Sequence, residues 1–80
     1  MSPTLTVEEK HLVLQAVERL QRRFEGQLNT ETIERFVLDS AQELLPRAKT
    51  TAWIPVLAER FAADRLRALL RLESPVNLNP

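Results

Sequence analysis

"WIPVLAERFAADRLRALLRL", residues 53–72, decides how this chain folds. The stretch has no glycine, and its apolar residues recur at three and four positions rather than at two, which is the period of a helix. Its one proline, Pro55, fits the first turn, where a missing N–H leaves nothing unpaired. Steps of about 100° per residue put Ile54, Leu57, Ala58, Phe61, Ala62, Arg65, Ala68, Leu69 and Leu72 on one stripe. The alanines among them would let a neighbouring helix come close. A second apolar set, Val56, Ala63, Leu66 and Leu70, falls to the side or behind. A helix with one buried face has no use for it, so something else must cover it.

Working outward, the helix breakers are sparse and well placed. Gly26 is the single glycine, and Asn29–Thr30, Pro46 and the run from Lys49 to Pro55 are the other interruptions. They mark three helices at about 7–25, 31–45 and 52–72, followed by a polar, proline-bearing tail over 73–80. Strand signals are weak, with no tyrosine and no sustained alternation. Thr6 and Glu9 have the spacing of a capping box at the start of the first helix. Val13, Val17, Leu20 and Phe24 form its stripe, and Gly26 suits a left-handed terminator. The second helix opens at Asn29 or Thr30 and carries Glu31 and Glu34 in or near its first turn, where the helix dipole favours them. Its stripe is Ile33, Val37, Ala41 and Leu44. Pro46 argues for a stop at Leu45. Ala48 nevertheless continues the stripe, so a kinked helix past Pro46 stays open at a cost of about 3 kcal/mol.

The expected fold is all-α, an antiparallel up-down-up three-helix bundle forming a single domain over 1–80. Its expected core is Val13, Val17, Leu20, Phe24, Ile33, Val37, Leu44, Leu57, Phe61 and Leu69. Eighty residues bury little apolar surface, and domains of this size often lean on disulfides, metals or self-association. With no cysteine and one histidine, His11, the first two supports are not expected, nor is any cofactor. Lysine plus arginine equals aspartate plus glutamate at 11 each, so there is no basic excess for a phosphate backbone. The arginines of the first and third helices are interleaved with acids, which suits a solvated face. No membrane span or signal peptide is read in the sequence, and the expected location is the cytoplasm.

A catalytic set is not found. His11 stands alone among charged residues, and the paired glutamates near helix starts serve the dipole better than acid–base chemistry. Two residues break the pattern. Arg65 falls inside the apolar stripe of the third helix and wants a carboxylate, with Asp39 as the candidate for a buried ion pair and Glu43 as the alternative. Trp53, at the start of that helix, reads equally as a binding anchor or as a cover for the open end of the bundle.

"AVERLQRRF", "ETIERFVLDSAQELL" and "IPVLAERFAADRLRAL" together resemble an actinobacterial three-helix bundle dimerisation domain. That domain is found N-terminal to arsenate-reductase-like proteins of the low-molecular-weight tyrosine-phosphatase fold and also as a free-standing short protein. The resemblance spans roughly residues 9–70 and is most specific from Ile54 to Leu66. Ala41 departs from it where an aromatic residue is usual, and Pro46 where a helix former is usual. The resemblance implies dimerisation and no catalysis, because the catalytic cysteine loop belongs to the phosphatase part and this chain has no cysteine.

The functional expectation is therefore a non-enzymatic protein-interaction module that forms a homodimer through the outer face of helix three. Val56, Ala63, Leu66, Leu70, Leu12 and Trp53 are the expected interface. The alternative is a docking or regulatory domain for a separate arsenate-reductase or phosphatase-like enzyme. A third reading is a small helical DNA-binding protein.

Overall fold

The computed structural model describes residues 4–73; of the expected tail, everything beyond Glu73 lies outside them. Three helices pack against one another: α1 (Val7–Arg23), α2 (Thr30–Leu44) and α3 (Ile54–Glu73). No strand occurs among the described residues. The helix starts follow from their caps. Glu9 N donates to Thr6 Oγ1 at 3.1 Å and Thr6 N donates to Glu9 Oε1 at 3.0 Å, which closes the capping box. Asn29 Oδ1 accepts from Thr32 N at 2.8 Å at the start of α2. Gly26 has φ +81°, the left-handed geometry that lets the chain turn from α1 towards α2.

Pro46 ends α2 one residue before the expected stop. A 3-10 turn, Leu45–Arg47, follows Leu44 and carries the proline; Ala48 is then extended, with φ −84° and ψ 133°. The kinked continuation past Pro46 is thus replaced by a short tight turn, in which the proline's absent N–H leaves no α-helical bond unmade. Ala41, the other departure from the family pattern, packs with Ile54 and Ala58 in a small cluster at the corner where α2 gives way to α3. A large ring there would hold the two helices apart.

The main core holds Val13, Val17, Leu20, Phe24, Ile33 and Val37, all buried, together with Ala62, Ala63 and Leu66 of α3. That last group corrects the reading of α3. Leu66 is completely buried and Ala63 nearly so, whereas Phe61 is 42% exposed. Leu70 packs partly buried against the core. Leu44, Leu57 and Leu69 are half-buried rather than central, and Ala68 and Leu72 are exposed. The helix is turned by about one residue step, roughly 100°, from the stripe its large side chains suggest. Arg65 explains why. The expected register would bury a guanidinium at a cost of several kcal/mol. One step of rotation moves Arg65 to the wet edge of α3 and brings Leu66 into the core. Ala58 and Ala62, both fully buried, permit the close approach on the new face.

Candidate functional site

Two contacts fix how α3 lies against α1. Thr51 Oγ1 donates to Glu9 Oε1 at 2.5 Å, across 42 residues of sequence. Further along, Arg19 grips Glu59 with both ends of its fork, Nε to Oε2 at 3.0 Å and Nη2 to Oε1 at 2.7 Å, across 40 residues. Near-equal offsets at two levels mean that α1 and α3 run parallel, with α2 antiparallel to both. The Thr51 hydroxyl, and after it the backbone and side chain of Thr6, hold the Glu9 carboxyl below its ordinary value. The hydrogen bonds that Arg19 donates to the Glu59 carboxylate hold its guanidinium above its own ordinary value.

The same offset sets Leu12 level with the start of α3. Leu12 and Ala52 line one open hollow, together with Glu8 and His11. The next residue, Trp53, is 66% exposed, Val56 50% and Leu12 46%. Beside Trp53 lies a second hollow of about 280 Å³, formed where the 3-10 turn and its following loop meet α3. Leu44, Ala48, Trp53, Ile54 and Leu57 supply its apolar lining, and Arg47 and Lys49, both exposed, are its only charged lining residues. One end of the bundle therefore carries a belt of exposed apolar surface that runs from Leu12 over Ala52, Trp53 and Val56 to the half-buried Leu57, with the exposed Phe61 further along α3.

Of the expected interface, Leu12, Trp53 and Val56 lie on this belt. Ala63, Leu66 and Leu70 do not, because α3 spends them on its own core. The expected buried pair of Arg65 and Asp39 is also corrected. Arg65 is exposed and pairs with Glu43, while its Nη1 donates to the buried Ser40 Oγ at 3.3 Å. Ser40 and Glu43, three apart, share the edge of α2 that faces α3; Asp39 lies on the outer side of α2, in a shallow hollow with Glu31 and Arg35. Two contributors went unread in the sequence, Arg47 and Lys49. Their signal was available: from Leu44 to Ala58 they are the only charged residues.

Among the described residues, no group of three or more His, Cys, Asp or Glu side chains is placed to hold a metal ion. No buried side-chain polar atom among them lacks a partner. Among them, too, no helix is long and apolar enough to cross a membrane.

Three packed helices with an exposed apolar belt at one end make a small all-α bundle. The chain belongs to the family of the protein-tyrosine-phosphatase-like N-terminal domain, whose family model matches residues 13–70. It is thus of the kind of N-terminal module found in phosphatase-like proteins, and not their catalytic part. No curated protein and no solved structure matches the chain.

Proposed function

We propose that this protein is a non-catalytic interaction module that forms a homodimer through the belt of Leu12, Trp53, Val56 and Phe61. The observation that carries this reading is the exposure of Trp53. Tryptophan is highly buried on average, yet this one stands two-thirds in solvent beside an apolar hollow. Large aromatic side chains next to pockets are the usual anchors of interfaces. A thin core adds a motive, since association covers apolar surface that a small chain cannot bury alone.

Light scattering across a dilution series tests the reading. A dimer is expected at micromolar concentrations, and Trp53→Ala combined with Val56→Glu should convert it to monomer with its helix content unchanged. A strict monomer at high micromolar concentration overturns the proposal.

In a second reading the same belt seats a separately encoded arsenate-reductase-like or phosphatase-like enzyme; of these, membership of a phosphatase-like family supports the phosphatase-like one. Co-elution with such an enzyme, lost in the same double variant, distinguishes it. The DNA-binding reading has the weakest footing. Arg19, Arg65 and Arg67 are paired with Glu59, Glu43 and Asp64, and the arginines of α1 and α3 are interleaved with acids, which suits a solvated face better than a phosphate track.

A further inference from the structure

The belt has opposite charges at its two ends. On α1, Glu8 lines the hollow that holds Leu12 and Ala52. Its neighbour Glu9 is engaged by Thr6 and Thr51, so Glu8 is the carboxylate this end presents outward. Across Trp53, the other hollow carries Arg47 and Lys49 and no acid. Neither cation, nor Glu8, forms a salt bridge among the described residues. Ala52 lines the first hollow and Trp53 the second, so these consecutive residues mark the middle of the belt.

This polarity selects a geometry for a second copy. A two-fold axis lying in a contact keeps position along itself and reverses direction across itself. If the axis ran along the belt, Glu8 would meet Glu8 of the other copy, and the two basic hollows would face each other. If the axis crosses the belt at its middle, each acidic end meets a basic end, and both apolar centres meet. Like-charge juxtaposition at an interface is strongly disfavoured, whereas opposite charges fix register.

From this we infer that the dimer axis crosses the belt beside Trp53, with Glu8 of each copy against Arg47 and Lys49 of the other and Leu12 directed into the hollow beside Trp53. The inference rests on the homodimer reading and adds its orientation. It also makes a statement about mixtures. A chain carrying Glu8→Lys has two basic ends, and one carrying Arg47→Glu with Lys49→Glu has two acidic ends. Neither should pair with itself, but each end of the one complements an end of the other.

The experiment is analytical ultracentrifugation at low ionic strength, where such contacts are least screened. It compares the parent chain, each charge variant alone, and an equimolar mixture of the two, with circular dichroism to show that the helices persist. Each variant alone should dissociate at least about ten-fold more readily than the parent, and the mixture should regain the parent's association as a heterodimer. If the parent is monomeric, the homodimer reading falls and this inference with it. If the parent dimerises but the variants still self-associate, or if their mixture stays monomeric, the axis lies elsewhere and the homodimer reading stands.

Discussion

Arg65 on α3 pairs with Glu43 on α2 through one guanidinium nitrogen and, through another, donates to the buried hydroxyl of Ser40 at 3.3 Å. One side chain therefore satisfies a buried polar atom and closes a helix–helix edge. The ion pair is exposed, with 43% and 60% of the two side chains accessible, so solvent screens it and its own share is about 1 kcal/mol at most. Ser40 adds the cost of a buried hydroxyl that loses its donor. Arg65→Ala should destabilise the fold by about 1–2 kcal/mol, read from the midpoint of urea denaturation. Arg65→Lys should recover only part of this, since an ammonium is a point charge and not a fork. An unchanged midpoint in Arg65→Ala would mean that the contact contributes nothing.

The register of α3 yields a sharper contrast. Leu66 is fully buried against α1 and α2, whereas Phe61 is 42% exposed. Leu66→Ala should cost about 2–5 kcal/mol, a large share of the stability of an 80-residue domain. Phe61→Ala should cost less than about 1 kcal/mol in the monomer. Thermal denaturation of the two variants at equal concentration decides the matter. A larger loss for Phe61→Ala would restore the register that the sequence suggests.

That contrast also shows where sequence reading stopped. The helices, their caps and the α1 and α2 faces were legible because each rests on a local signal. Thr6 and Glu9 stand three apart, Gly26 is the lone glycine, and Val13, Val17, Leu20 and Phe24 form a clean stripe. α3 was harder because apolar residues occur on most of its circumference, so periodicity alone does not choose a face. The choice is made by what small residues allow and what a charge forbids. Ala58, Ala62 and Ala63 let the backbones come close, and Arg65 must stay wet. Arg65 is visible in the sequence as an anomaly, but a charge inside an apolar stripe is compatible both with a buried ion pair and with a stripe that lies elsewhere, and only packing separates the two. The hollow beside Trp53 depends on the 3-10 turn after Leu44, which Pro46 hinted at without fixing its course.

Gly26 offers a test of backbone conformation free of packing. Its φ is +81°, and a Cβ placed there would meet nothing within 4 Å. Any loss on Gly26→Ala therefore comes from forcing an L-residue into left-handed geometry, about 1 kcal/mol. Gly26→Asn should lose less, since asparagine tolerates that region better than alanine. Equal stability of the glycine and alanine forms, measured by urea denaturation, would show that the turn relaxes to another conformation.

The hydrogen bond from Thr51 to Glu9 ties the pre-α3 loop to the first turn of α1, and it makes the fold sensitive to acid. Thr51 is the largest cause of the lowered Glu9 pKa, ahead of the Thr6 backbone. A carboxylate with a lowered folded-state pKa binds protons more readily in the unfolded chain. Its contribution is therefore complete above the ordinary glutamate value and is lost as pH falls through that value towards the folded one. Stability should thus decline on the acid side of the carboxylate range. Thr51→Val should flatten part of that decline by raising the folded-state pKa of Glu9 towards normal. Glu9→Gln should remove this residue's share of the pH dependence altogether, while lowering stability at neutral pH through a weaker cap. Urea midpoints of the three proteins across the acid range test this together. If the parent and Glu9→Gln follow parallel curves, the acid sensitivity arises at another carboxylate and the Thr51 contact is not what couples the loop to pH.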